Sequence, residues 1–263
     1  MARRIGRLAV PLLVLPIGMH HLRFIDSPTF FVAMILAGAV AALAVFVALI
    51  ALIRLWYSGD RGWRRALSGL FLGALCLAPF GWYGALAWRY PVVTDIATAD
   101  RGELPLVLDN ATVRMPPPFL ISAVDQARVF PNATTRTYPL SANQVFVLVA
   151  SQVEGEGWDV RLKREPGPNG EAGRINARIV TLLGWQEEVV IRVLQVGGAS
   201  AVDMRSVSLN APHDFGSNGT RIARFMVALD NDVTSLLRDN PDANQPVVEE
   251  DEEPAPVVEQ GES

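Results

Sequence analysis

The stretch 203-DMRSVSLNAPHDFGSNGTRIARF-225 decides how this chain is read. It begins as a strand and ends as a helix. Between them lie Arg205, Ser206, Ser208, Asn210, His213, Asp214, Ser217, Asn218 and Arg221. The strand is expected to end at Leu209, with residues 210–216 turning into the helix. Asp214 stands where a carboxylate accepts amide hydrogen bonds at a helix's positive end. Gly216 admits a backbone conformation that other residues resist.

Downstream, residues 220–238 place Ile222, Phe225, Met226, Leu229, Val233 and Leu236 on one helical stripe. Upstream, 158-WDVRLKRE-165 and 174-RINARIVT-181 alternate apolar and polar residues, and 187-EEVVIRVLQV-196 and 201-AVDMRSVSL-209 follow. Gly-rich turns separate these runs, the pattern of an antiparallel meander. Before them, Ser141 is an N-cap ahead of Val145, Phe146, Val149 and Val153, and Gly155 and Gly157 mark the stop. The fold class expected is α+β: N-terminal transmembrane helices, then a small two-layer domain over 141–238. That domain has an antiparallel four-stranded sheet, a preceding helix and a long C-terminal helix. The sheet's second face is expected to be rich in Arg and Lys and solvated. Residues 89–140, with Pro91, Pro105 and Pro116–Pro118, read as a Pro-rich linker region along the domain surface.

The first third is apolar. Residues 29–53 and 66–88 carry no charge, and each is long enough as a helix to cross a hydrocarbon core of roughly 30 Å. Trp82, Tyr83 and Trp88 gather at the later end of the second run, as interface aromatics do. The loop 54–65 holds Arg54, Arg61, Arg64 and Arg65 against Asp60, which places it in the cytoplasm. Residues 1–28 hold Arg3, Arg4 and Arg7 and a shorter apolar run, Leu8–Leu22. That run reads as a third pass, a re-entrant piece or an interfacial helix. Three passes are preferred, because both basic segments then lie inside. The domain then lies on the outer side of the membrane; in a Gram-negative bacterium that is the periplasmic side of the inner (cytoplasmic) membrane.

The formal net charge of −4 conceals two parts. Residues 239–263 hold 9 of the 27 acidic residues and no Lys or Arg, leaving 23 basic against 18 acidic in the rest, or +5. This tail is Pro-rich and without apolar periodicity, so it is expected to be disordered, and its sign argues against nucleic acid. One cysteine, Cys76, excludes a disulfide framework within the chain. His20 and His21 lie by the membrane and only His213 in the domain, with no spacing that forms a metal-ligand set. No metal and no cofactor is expected.

The 203–225 stretch resembles the bacterial family known as domain of unknown function 1499. The resemblance rests on Arg205, Ser206 and Ser208, then Asp214, Gly216 and Asn218, then Arg221 and Ile222. Two further segments agree: 90-YPVVTDIATAD-100, through Pro91, Asp95, Ile96, Thr98 and Asp100, and the paired acids Glu187 and Glu188. Leu209 stands where the family usually has Arg, and His213 where it usually has Ser. The resemblance implies a small soluble domain, preceded in alphaproteobacterial members by an apolar half, and implies no known reaction.

Two function classes stand. The first is a membrane-anchored, envelope-facing binding or structural module with no catalytic residue. Its cluster is Arg205, Ser206, Ser208, Asp214, Gly216, Asn218 and Arg221, and its partners are the lipid bilayer and an anionic envelope ligand or a protein. In this reading Arg205 and Arg221 tie strand to helix through carboxylates. The second is an envelope hydrolase using Ser206, Ser208, His213 and Asp214, although no strained nucleophile turn such as Gly-x-Ser-x-Gly is present. Glu187 and Glu188 are adjacent on a strand, so they point to opposite faces and form no carboxylate pair.

Overall fold

In the computed structural model, residues 2–59 and 61–242 are described. Residues 243–263, which make up most of the acidic tail, lie outside them.

Helices α1 (Ala2–His21), α2 (Ser27–Ser58) and α3 (Trp63–Arg89) pack against one another in all three pairs. Small residues line the contacts: Ala37, Ala41, Ala44 and Ala48 of α2, and Gly69, Gly73 and Cys76 of α3, are buried. A Cβ on Gly69 would stand 2.7 Å from the Ala2 carbonyl carbon. The outward side chains are large and apolar, among them Val32, Ile35, Phe46 and Phe71. Small inside and greasy outside is the reverse of a water-soluble bundle and the arrangement of helices packed in lipid. Two of the described helices, α2 and α3, are long and apolar enough to cross a membrane. The shorter α1 keeps Pro11 and Pro16 within it.

Beyond the bundle come β1 (Asp95–Ala97), α4 (Asn110–Val113), α5 (Ala123–Val129), β2 (Arg136–Tyr138), α6 (Ala142–Gly155), β3 (Asp159–Arg164), β4 (Gly173–Val180), β5 (Gln186–Val196), β6 (Ala199–Ser208) and α7 (Ser217–Asp239). The sheet is antiparallel throughout and runs β1-β6-β5-β4-β3. It has six strands rather than four. The extra two, β1 and β2, share one edge. β1 pairs with Arg205–Val207 and β2 with Ser200–Val202, end to end along β6. Each is three residues long, too short to show alternation, and both lie in the stretch that reads as linker from its prolines.

Period-two alternation sorts the sheet's faces. Ile175, Ala177, Val189, Ile191, Val193, Val202 and Met204 turn to α6 and α7 and meet Val145, Phe146, Val149, Ile222, Phe225, Met226 and Leu229 in one core. Ser141 caps α6 in a capping box with Gln144, fixing where that helix starts. Over Arg178, Arg192 and Arg205 the opposite face is covered rather than solvated, whereas Arg161, Lys163 and Arg164 of β3 are exposed. The segment from Ala99 to Arg114 lies over it, with Leu104 and Leu106 packed beside Val190 and Ala97. Under this cover lie the arginines expected to face water. Arg178 pairs with Glu188 and Asp109 (2.8 Å each), and Arg192 with Asp203 (2.7 Å) and Glu103 (2.6 Å). Their carboxylates come from distant segments as well as from neighbouring strands, so the sequence run alone shows only basic residues.

The domain rests on the bundle at two points. His20 Nδ1 lies 2.6 Å from the Leu183 carbonyl oxygen, and the His20 and Phe30 rings pack on Trp185. At the end of α3, Tyr83 meets Phe215 edge-on and Tyr90 stacks on Phe130.

Candidate functional site

Strand parity divides the seven cluster residues. Ser206 and Ser208 point to the helix side of β6, and Arg205 to the covered side. Arg205 grips Asp95 with Nε at 3.1 Å and Nη2 at 2.8 Å, and Nη1 donates to the Leu104 carbonyl at 3.0 Å. Asp95 is fully buried and also accepts from Arg101 Nε at 3.1 Å. Arg205 therefore joins the central strand to the edge strand and the covering segment, not to α7 as expected. The alternation that puts Ser206 and Ser208 on one face already puts Arg205 on the other.

On the helix side Glu187 is the hub. Arg221 Nη2 donates to its Oε2, while Ser217 Oγ (2.7 Å) and Ser208 Oγ (3.3 Å) donate to its Oε1. Asn218, fully buried in the first turn of α7, accepts from Ser206 Oγ at 2.8 Å through Oδ1. Its Nδ2 donates to the Thr94 carbonyl at 3.2 Å and to Ser208 Oγ at 3.1 Å. Arg221 Nη1 donates to Ser206 Oγ at 2.8 Å, so one guanidinium spans strand and helix. Glu188, one residue along, faces the opposite way to Arg178 Nε at 2.8 Å. Thr94 carries no sequence signal for its part, because it contributes only its backbone.

The turn between strand and helix is held by Asp214. Its Oδ1 accepts from the Gly216 amide at 2.9 Å and its Oδ2 from the Asn218 amide at 3.2 Å. Burial pushes its carboxyl up to about 6; the two amide bonds oppose that shift, and the nearby Glu187 adds to it. Gly216 has φ of +81°, and a Cβ there would stand 2.6 Å from the Tyr90 ring. Glycine is required both by conformation and by space.

His213 does not approach either serine as a base. Its Nδ1 accepts from the Phe215 amide at 3.0 Å, and its ring stacks on Phe215. Burial lowers its pKa, with the nearby Tyr90 backbone acting the other way. Ser206 and Ser208 are buried, each committed to the Asn218–Glu187–Arg221 network. Among the described residues no group of three or more His, Cys, Asp or Glu is placed to hold a metal ion.

A wide opening lies elsewhere. A cleft of about 1410 Å³ separates the α1–α2 turn from the β4–β5 end of the domain and the 109–119 segment. Arg23, Phe24, Arg114 and Phe119 are on its walls. None of these four is in the cluster above.

Comparison with known proteins places the domain. Residues 115–229 match the family described as Protein of unknown function (DUF1499). The match takes in β2 through most of α7 and starts downstream of β1, so Asp95, the partner of Arg205, lies before it. No curated protein matches the chain.

Proposed function

We propose, for a chain whose domain belongs to the DUF1499 family, a membrane-anchored, non-catalytic binding module that faces the bacterial envelope. Residues 29–53 and 66–88 hold it in the inner membrane, the loop 54–65 stays in the cytoplasm, and the domain stands in the periplasm. The observation that carries the non-catalytic reading is the commitment of the polar cluster to itself. Arg221 is tied to Glu187, Arg205 to Asp95, and both serines to side chains of the same network. A hydrolytic serine needs a base within hydrogen-bond reach and an open side for substrate. Ser206 and Ser208 are buried, and His213 turns its Nδ1 to its own turn. The cluster then fixes the corner between β6 and α7, and binding falls to the surface beside the membrane. The partners proposed are the bilayer and an anionic envelope ligand.

Topology is tested with alkaline phosphatase fused after Arg238 and, separately, after Ser58. Activity is expected only for the first, and activity only for the second reverses the orientation. Catalysis is tested by Ser206→Ala and Ser208→Ala in cells lacking the native gene. If deletion of the gene gives an envelope defect, failure of either variant to restore it with unchanged melting temperature would return the hydrolase reading.

A further inference from the structure

The cleft between the α1–α2 turn and the domain has the two halves of an amphiphile site. Its basic half is Arg23 and Arg114, both exposed. The carboxylates on its walls are committed elsewhere: Asp26 caps α2, Asp109 is bonded to Arg178 and to the first turn of α4, and Asp159 pairs with Arg161. No carboxylate among the described residues pairs with Arg23 or Arg114, so both guanidiniums are left for a ligand. Its apolar half is Phe24, Phe31 and Phe119, all exposed, beside Pro116 and Pro117.

The backbone at Arg23 ends α1 and fixes where its side chain departs. The Phe24 amide bonds the Met19 carbonyl at 2.8 Å and the Arg23 amide the His20 carbonyl at 3.1 Å, the Schellman ending of a helix. Arg23 occupies its left-handed position with φ of +63°, where glycine is the usual residue.

We propose that this cleft takes an anionic phospholipid, its phosphate clamped between Arg23 and Arg114 and its acyl portion laid on Phe24, Phe31 and Phe119. Guanidinium binds phosphate through paired donors, which suits a headgroup better than a zwitterion whose ammonium would meet the same arginines. The cleft opens beside the ends of α1 and α2, at the level where a headgroup lies if α2 spans the bilayer. This deepens the binding-module reading, but it is tested in detergent, where orientation plays no part.

The full chain, in a neutral detergent, is titrated with short-chain phosphatidylglycerol, short-chain phosphatidylcholine and glycerol 3-phosphate. Binding is followed by melting temperature and by native mass spectrometry. Phosphatidylglycerol is expected to bind more tightly than either control. The double variant Arg23→Gly, Arg114→Gln is expected to weaken it by about tenfold or more, the loss of at least one charge-assisted hydrogen bond. Arg23→Gly suits the turn, and Arg114→Gln alone, expected to show a smaller loss, guards against a folding effect. Equal binding of phosphatidylglycerol by the double variant and the native chain overturns the site. Glycerol 3-phosphate binding as tightly as phosphatidylglycerol overturns the lipid assignment in favour of a free phosphate. Phosphatidylcholine binding as tightly removes the role given to the arginines.

Discussion

Asp214 shows how one side chain couples the corner to pH. Its carboxyl, raised to about 6 by burial, is protonated in the folded state over a range where the unfolded chain has already lost the proton. The folded state then binds more protons than the unfolded, so stability falls as pH rises from about 4 to about 6, by at most about 3 kcal/mol from this group. The Asp214→Asn variant should lose this slope, measured as melting temperature across that range, although its amide cannot accept from both Gly216 and Asn218 and its baseline drops. Asp109 works in the opposite sense. Partial burial opposes ionisation, but bonds from the Thr112 amide and Arg178 outweigh it and hold the carboxyl at about 2. The stability it adds is present above about pH 4 and is lost as pH falls toward 2. Arg205→Ala leaves Asp95 fully buried with only the partly exposed Arg101, and should cost on the order of 3 kcal/mol in urea unfolding. The role of Asp214 is legible in the sequence because the amides it holds lie only two and four residues on. The partner of Arg205 is not, because 110 residues separate it from Asp95.

Among the elements, those with enough length to repeat a pattern are the ones the sequence reveals. β3 to β6, α6 and α7 show themselves by alternation or by a stripe. β1 and β2 do not, and with them goes the covered face, since a charged strand face looks solvated until its carboxylates are located. This gives β1 a measurable weight. A soluble fragment beginning at Tyr90 should unfold cooperatively in urea. One beginning at residue 115 lacks Asp95 and the segment over Arg178, Arg192 and Arg205, and should show no cooperative transition, because it leaves charges uncompensated on a face built to be dry.

For the whole molecule, the domain and bundle meet through few but specific contacts. Gly184 has φ of +85°, and a Cβ on it would lie 2.7 Å from the His21 Cα and amide nitrogen. The Gly184→Val variant should therefore push the β4–β5 turn off the end of α1. Faster hydrogen exchange at residues 181–185, with exchange in the sheet centre unchanged, would report that undocking; unchanged exchange at 181–185 would show that the contact does not hold the two parts together. Nothing in the sequence forecasts this seam, since His20, Phe30 and Trp185 meet only once the chain has folded back on itself.

The split edge of β6 also bears on what the chain can absorb. Residues 98–135 leave and return to the same strand, so the excursion is a lasso closed by β1 at one end and β2 at the other. Closure entropy grows only with the logarithm of length, about 0.6 kcal/mol for each doubling. An insertion at the exposed Pro117 disturbs neither strand nor the ion pairs of Glu103 and Asp109. Homologues can therefore vary in length here while the sheet stays as it is, and new recognition surface can be added beside the α1–α2 turn at almost no thermodynamic penalty.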